Sequence, residues 1–186
     1  MKKTLAFVAC ACLVFMSLDW AVNSYAKLYP PEVPIVNPPL ALRPRNWSQG
    51  RQENGSCMWA STIALLRWQE QYTLANRLRQ TRGGGEVPSG FSARLAAAGV
   101  RHQVESDGSV EFLEWACRER YGAVVVIHGG AHAVCLVHMS AEAVYLLDTN
   151  SPKKYKRIPR QVFLRDWKKS GGWAFVPLYN PASPLP

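Results

Sequence analysis

The hydrophobic pattern of this chain changes at Ala123–Ile127. Before this point, from Cys57 onward, apolar residues recur at the spacing of three to four that is typical of helices. Ala123–Ile127 is an unbroken, mostly β-branched run, which predicts a strand buried on both faces. Segments that alternate between apolar and polar residues follow it. Helices that precede an antiparallel sheet predict an α+β domain in two layers or lobes, with a cleft between them.

The predicted elements follow from periodicity and from turn residues. The first helix runs from Cys57 to about Tyr72, with an apolar face and with Asn54 or Ser56 available to cap its start. Further helices are predicted at Leu74–Gln80, Ser89–Gly99, Ser109–Tyr121 and around Phe163–Trp167. Besides Ala123–Ile127, strands are predicted at Val100–Val104, Ala133–Val137, Val144–Leu147 and Trp173–Val176, with a basic loop before Phe163.

The first turn of the first helix carries a cysteine, Cys57. A helix N-terminus places partial positive charge beside the sulfur, and this favours the thiolate form. A nearby imidazole could accept the proton that the sulfur gives up. We therefore interpret Cys57 as a candidate nucleophile and look for a histidine that the fold can bring to it.

The hairpin after the buried strand supplies that histidine. His132 opens one arm of the predicted hairpin and Asp148 closes the other, with a turn near Ser140–Glu142 between them. Hairpin pairing brings the two ends together to within a residue or two of register, so a carboxylate can orient the imidazole. Asn150 is an alternative third member, because the register is not determined by the sequence.

The N-terminus has the pattern of an export signal. A short basic start is followed by an apolar run, and small residues at Ser24 and Ala26 suit a signal peptidase. Residues 1–26 are therefore predicted to be a signal peptide, with an uncleaved membrane anchor through residues 4–22 as the alternative. Either alternative places the domain outside the cytoplasm, as a periplasmic, secreted or membrane-tethered protein.

The rest of the chain is the size of one domain. Residues 27–45 are rich in proline and are predicted to be extended, residues 46–178 form the folded domain, and residues 179–186 form a tail. We expect a monomer.

The formal net charge is +9, and many of the basic residues lie after position 152. Such a charge suits an anionic cell envelope or an acidic substrate, or is simply the solvated face of a secreted protein. No aromatic-rich or zinc-finger motif accompanies the basic residues, so we expect no nucleic-acid partner. His102, His128 and His138 are scattered without metal-ligand spacing, and we expect neither a metal nor a cofactor.

Three cysteines follow the predicted export signal: Cys57, Cys117 and Cys135. An odd number leaves at least one thiol unpaired in an oxidising compartment. Either Cys117 and Cys135 form a disulfide, or both are small buried apolar residues. In both cases Cys57 remains a free thiol.

These residues together resemble a known family. The segment Gly55-Ser56-Cys57-Met58-Trp59-Ala60, then Ala131-His132-Ala133-Val134, and then Leu146-Leu147-Asp148 is similar to the papain-like cysteine peptidases, especially their compact bacterial C39-like branch. The resemblance extends from about Gln49 to Pro177. It implies a papain-like fold in which an N-terminal helical layer carries the nucleophile and an antiparallel sheet carries the histidine and the aspartate.

The resemblance also implies an oxyanion hole. In this family a glutamine shortly before the cysteine stabilises the oxyanion together with the cysteine N–H. The family usually has this glutamine six residues before the cysteine, where this chain has Arg51. Gln52, five residues before Cys57, is therefore the candidate, and Asn54 is the alternative.

The function expected from this resemblance is that of an exported cysteine peptidase. Cys57, His132 and Asp148 would form its triad, and its partner would be a peptide or protein substrate. Two alternatives remain. The same thiol could cleave or transfer acyl groups in cell-wall peptide, as a peptidoglycan amidase or acyltransferase, or the fold could be an inactive interaction domain at the envelope.

Overall fold

The structure, a computed structural model, describes residues 56–151 and 155–180. Within these ranges the α-helices are α1 Cys57–Trp68, α2 Tyr72–Thr81, α3 Phe91–Ala97, α4 Val110–Arg118 and α5 Arg160–Lys169. The β-strands are β1 His102–Glu105, β2 Ala123–Ile127, β3 His132–Met139, β4 Ala143–Leu147, β5 Tyr155–Pro159 and β6 Ala174–Pro177.

The six strands form one antiparallel sheet. Their order across the sheet is β1-β6-β2-β3-β4-β5. The second and third strands lie in the middle, and every residue of β2 is buried, as its uninterrupted apolar run predicts. The α+β fold class predicted from the sequence is therefore confirmed.

Helices cover both faces of this sheet. Alternate residues of β2 belong to two separate core clusters, with Val124 and Val126 in one and Val125 in the other. The first cluster contains residues of α1, α2 and α3, and the second contains residues of α4 and α5. The domain is thus three layers deep rather than two, because a strand that is apolar on both sides needs apolar cover on both sides.

The first helix is the most deeply buried one in the described part of the chain. All of its residues except Cys57 and Arg67 are buried, whereas the sequence suggested an amphipathic helix with a single apolar face. Its polar Ser61 is also buried, and the Ser61 hydroxyl donates a hydrogen bond of 3.1 Å to the carbonyl of Ala133 in β3. This contact fixes α1 against the strand that begins with His132.

The edge strand β5 differs from the sequence-based prediction of a basic loop. Tyr155–Pro159 pairs with β4 over five residues, from Leu147 opposite Tyr155 to Ala143 opposite Pro159. Basic residues and a proline are common on edge strands, since an edge strand needs only one partner and the charges discourage pairing with other chains. The basic residues concealed the strand in the sequence.

Several predictions concern residues outside the described ranges. These are the export signal at 1–26, the extended segment at 27–45, the start of the domain up to residue 55, and most of the tail at 179–186. Among the described residues, none of the helices combines the length and the apolar character needed to cross a membrane.

Candidate active site

Cys57 is the first residue of α1, and Ser56 is at the N-cap position. The Cys57 side chain is partly buried between the helix and the sheet, and it forms a hydrogen bond with the imidazole of His132. The residues of α1 that follow Cys57 pack into the core and hold the first turn of the helix against β3. The sulfur therefore lies both at a helix N-terminus and beside an imidazole, as the sequence predicts.

His132 is the first residue of β3, directly after the turn that joins β2 to β3. Its Nε2 lies 2.9 Å from Oδ1 of Asp148, and only 14% of its side chain is exposed. Because Nε2 is engaged by the carboxylate, Nδ1 is the ring nitrogen that remains for the sulfur of Cys57. The imidazole thus connects the thiol to the carboxylate.

Asp148 reaches His132 through the pairing of β3 with β4. Cys135 is paired with Leu147, so the first residues of β3 and the last residues of β4 lie at the same end of these two paired strands. Asp148 follows Leu147 directly, and its side chain is only 6% exposed. A register shift in β3 between Leu136 and His138 adjusts this pairing, and the sequence does not reveal such a shift.

Asn150 also approaches His132, but at a longer distance. Its Nδ2 lies 3.5 Å from Nε2 of His132, the same nitrogen that contacts Asp148 at 2.9 Å. A ring nitrogen whose N–H donates to a carboxylate cannot also accept a hydrogen bond from an amide. The backbone N–H of Asn150 instead donates to Oδ1 of Asp148 at 2.9 Å. The geometry therefore places Asp148 as the partner of the imidazole and Asn150 as a support for Asp148.

The three groups shift one another's ionisation. Burial alone would raise the pKa of Cys57, but hydrogen bonds from His132 and from the backbone N–H of Ala133, with the positive charge of His132, lower this pKa below its ordinary value. Burial would lower the pKa of His132, but its hydrogen bonds to Asp148 and Cys57 outweigh burial and raise this pKa to about 9. Both shifts favour a thiolate–imidazolium pair near neutral pH.

The carboxylate of Asp148 stays ionised for a related reason. Burial would raise its pKa, but hydrogen bonds from His132, from Lys156 and from the backbone of Asn150 hold this pKa well below its usual range. Lys156 on β5 contributes an ion pair in which its Nζ lies 2.5 Å from Oδ2 of Asp148. The charged carboxylate can therefore stabilise an imidazolium at His132.

Two contacts near this site are not predicted by the sequence. Lys156 is one of the basic residues after position 152, which the sequence alone assigns to a charged surface, and the structure makes it an ion-pair partner of Asp148. The ring of His128 lies almost parallel to that of His132, with 6.4 Å between the ring centroids, and Nδ1 of His128 lies 3.0 Å from Oδ2 of Asp166 on α5. Both contacts depend on β5 and α5, whose position relative to the hairpin has no signal in the local sequence.

The two other described cysteines lie away from this site. Cys117 and Cys135 are both free and buried, and they belong to core clusters on opposite faces of the sheet. Burial raises the pKa of Cys117 to about 12, and it also raises the pKa of Cys135. Of the two alternatives left open by the sequence, the structure thus shows small buried thiols rather than a disulfide.

The described residues contain no group of three or more His, Cys, Asp or Glu side chains that could hold a metal ion. The predicted oxyanion candidates Gln52 and Asn54 lie outside the described residues. Within the described ranges, the candidate site consists of a thiol that is hydrogen-bonded to an imidazole, which is in turn hydrogen-bonded to a carboxylate. Such a set can attack an electrophilic carbonyl carbon and transfer a proton to the group that leaves.

Comparison with known proteins identifies similar folds. No protein-family model matches this chain, and no curated protein matches it. The chain is similar to the crystal structure of a Bacillus anthracis protein assigned as a C39-like peptidase, with a TM-score of 0.56 and 14% identity over 78% of this chain and 99% of that one. It is also similar to a double-glycine-motif protease from an AMS/PCAT transporter, solved with its leader peptide, at 18% identity over 79% of this chain and 93% of that one. The TM-score of this second match is 0.47.

Proposed function

Since the chain has the fold of C39-like, papain-like cysteine peptidases, we propose that it is an exported cysteine peptidase that hydrolyses peptide bonds. The observation that carries this proposal is the set of hydrogen bonds from Cys57 through His132 to Asp148. A shared fold alone does not establish activity, because inactive members can keep a fold. The hydrogen bond between the Cys57 thiol and His132 supports activity beyond the shared fold.

In the first half of the proposed reaction, the Cys57 thiolate attacks the carbonyl carbon of a peptide bond. A carbon–sulfur bond forms, and the π electrons of the carbonyl move to its oxygen. The backbone N–H of Cys57 would stabilise this oxyanion, joined by Gln52 according to the family resemblance. The imidazolium of His132 then gives its proton to the leaving amine as the carbon–nitrogen bond breaks. The product of this half is a thioester on Cys57.

In the second half, neutral His132 takes a proton from water. The oxygen of that water attacks the thioester carbon, and the carbon–sulfur bond breaks to release a carboxylic acid and the thiolate. The proton gained by His132 restores the imidazolium. Asp148 remains a carboxylate throughout, keeps Nδ1 directed at the sulfur, and stabilises the positive charge on the ring.

The substrate is proposed to be an extracytoplasmic peptide or protein. Wall peptide is a second candidate substrate, because the described part of the chain from β5 to α5 carries four basic side chains, besides Lys156 and Arg160 that pair with Asp148 and Glu114, which could attract an anionic wall: Arg157, Arg165, Lys168 and Lys169. Cleavage or transfer at wall amides would use the same thiol chemistry. The two candidates differ in substrate and not in mechanism.

The test uses the purified full-length chain with two kinds of substrate. A pool of peptides of mixed sequence and a preparation of purified cell wall are incubated with the wild type and with Cys57→Ala, and new amino termini are identified by mass spectrometry. We expect wild-type cleavage of the peptide pool that is lost in Cys57→Ala. Release of wall fragments alone would identify the wall as the substrate and would contradict a general peptidase.

A covalent probe separates an inactive domain from an enzyme whose substrate is absent from the pool. An epoxide that alkylates thiolates is expected to label Cys57 in the wild type at near-neutral pH, and to label His132→Ala far more slowly. Equal and slow labelling of both proteins, together with intact substrates, would support an inactive interaction domain and would overturn the proposed function.

A further inference from the structure

The third member of the candidate triad has an unusual partner. Oδ1 of Asp148 faces His132, whereas Oδ2 lies 2.5 Å from the ammonium of Lys156 on the edge strand β5. The carboxylate is only 6% exposed, and the lysine side chain is 43% exposed. A buried carboxylate therefore lies between two groups that can each carry a positive charge.

From this geometry we propose that Lys156 is a positioning residue of the active site, which fixes the Asp148 carboxylate and weakens its hold on the His132 proton. This inference rests on the proposed function, because it concerns the same thiol and imidazole. The ammonium of Lys156 contacts the Asp148 carboxylate, and in this proposal it acts through Asp148.

The first part of this role is geometric. An ion pair to Oδ2 restricts rotation of the carboxylate, as does the backbone N–H of Asn150, which donates to Oδ1 at 2.9 Å. Residues that bond to a catalytic group without contacting the reacting atoms determine how well that group is oriented. Without Lys156, Asp148 would keep one of its two supports besides His132.

The second part is electrostatic. A carboxylate with no other charged partner strongly stabilises an imidazolium. When the pKa of His132 is raised too far, the imidazolium becomes a weaker acid and protonates the leaving amine less readily. The lysine charge offsets part of the carboxylate charge, so His132 holds its proton less firmly. Removing that charge should make the imidazolium persist to higher pH.

The other charged or titratable groups around His132 and Asp148 are the same in every variant compared below. Cys57 faces His132 from α1, and His128 faces it from the turn before β3 and contacts Asp166 of α5. Cys135 lies in the core close to Asp148, and Tyr155 lies close to Cys135. A change caused by Lys156 alone is therefore measurable against a constant background.

The test follows alkylation of Cys57 by iodoacetate as a function of pH. Iodoacetate is an anion, so it reacts faster when the neighbouring imidazole is positively charged, and its rate should fall as His132 loses its proton. Mass spectrometry of the Cys57 peptide gives the rate at this one cysteine. In Lys156→Met we expect the alkaline fall of this rate to move to higher pH by roughly half a unit to one unit, since the lost charge is partly screened by solvent.

Two further variants separate the charge from general effects. Lys156→Arg keeps the positive charge and should restore the alkaline fall to the wild-type pH. Arg157→Met removes an equal charge from the next residue of β5, whose side chain points to the other face of the sheet, and should leave the alkaline fall where it is. Thermal unfolding checks that each variant is folded, and Lys156→Gln replaces Lys156→Met should the latter fail to fold.

The possible results have distinct meanings. An alkaline fall that stays at the wild-type pH in Lys156→Met, or that moves equally in Arg157→Met, overturns the role of Lys156 while leaving the peptidase proposal intact. Wild-type Cys57 that reacts as an ordinary thiol with no alkaline fall overturns the proposed function, and this inference fails with it.

Discussion

The properties of individual residues in this site depend on their neighbours more than on their own chemistry. The described part of the chain has three free cysteines, yet only Cys57 has a lowered pKa, whereas burial raises the pKa of Cys117 and Cys135. The difference comes from the helix N-terminus and the imidazole beside Cys57. The sequence indicates Cys57 as the candidate nucleophile because it lies at a helix start and a histidine opens the later hairpin.

Asp148 provides a prediction about acid stability. Its pKa is lower in the folded chain than in the unfolded chain, so its stabilising contribution is fully present above the unfolded value near 3.8 and is lost as the pH falls toward the folded value. We expect wild type to be more stable than Asp148→Asn by about 1–2 kcal/mol at pH 6, since hydrogen bonds to charged groups are lost in the variant. This gap should narrow at pH 2.5.

Urea unfolding at the two pH values measures this gap. Asp107→Asn, which changes an exposed aspartate, is the control and should stay within about 0.5 kcal/mol of wild type at both pH values. A gap between wild type and Asp148→Asn that is as large at pH 2.5 as at pH 6 would show that the Asp148 charge contributes nothing to folding stability.

At the scale of elements, the sequence predicts the helices and strands that have a one-sided or a uniform apolar pattern. It misses a strand that forms only because it is hydrogen-bonded to a neighbouring strand. The uniform apolar run of β2 predicted its strand correctly, and the helix starts at Cys57 and near Ser109 were also predicted. The edge strand β5 was predicted as a loop, because its polar and basic residues carry no strand signal of their own. Its strand conformation arises from hydrogen bonds to β4, which only the fold supplies.

The junction between α4 and β2 contains a glycine that the fold requires. Gly122 has a φ of +66°, and a Cβ there would lie 2.7 Å from Cζ3 of Trp68 and 2.9 Å from Cδ2 of Leu65. Gly122→Ala should therefore destabilise the domain by roughly 2–4 kcal/mol, through backbone strain and overpacking together. In chemical denaturation, the variant should unfold at a lower midpoint concentration of denaturant. The slope of its unfolding free energy against denaturant concentration should be unchanged.

Gly129 is a matched control for this substitution. Its φ is +65°, but a Cβ there would meet nothing within 4 Å. Gly129→Ala should therefore lose only the strain contribution, about 1 kcal/mol. Equal losses for the two alanine variants would refute the crowding that the structure shows at Gly122.

At the scale of the whole molecule, one buried side chain joins segments that are distant in the sequence. Gln69 follows α1 and is fully buried. Its Nε2 donates hydrogen bonds of 2.8 Å to the carbonyls of Tyr121 and Pro177, and its Oε1 accepts a hydrogen bond of 3.1 Å from the N–H of Tyr179. The helix that carries Cys57 is thereby connected to the segment between α4 and β2 and to the end of β6.

Replacing this amide should weaken the whole domain. Gln69→Met keeps a similar volume but leaves two carbonyls and one N–H without their partner, and each buried unsatisfied group costs about 1–3 kcal/mol. Allowing for partial access of water, we expect a loss of roughly 2–4 kcal/mol in the free energy of unfolding. Gln80→Met, at an exposed position of α2, should change it by less than about 0.5 kcal/mol. Similar losses in both variants would contradict the structural role of Gln69.

The sequence predicted the fold class and the C39-like resemblance, and both are confirmed. It also named Cys57, His132 and Asp148, which the structure brings together, although their role in catalysis stays a prediction. It could not supply the second helical layer on the sheet, the contact of Lys156 with Asp148, or the ties made by Gln69. Each of these depends on residues that are far apart in the sequence and that carry no local pattern.

The central claim is that His132 makes Cys57 a thiolate near neutral pH, and the rate of Cys57 alkylation by iodoacetamide at pH 6 tests it most directly. At this pH an ordinary cysteine is almost entirely protonated. We predict that wild-type Cys57 reacts at least about 10-fold faster than Cys57 in His132→Ala, and that the two rates converge toward pH 10, where both thiols are ionised. Equal rates for the two proteins at pH 6 would contradict the account.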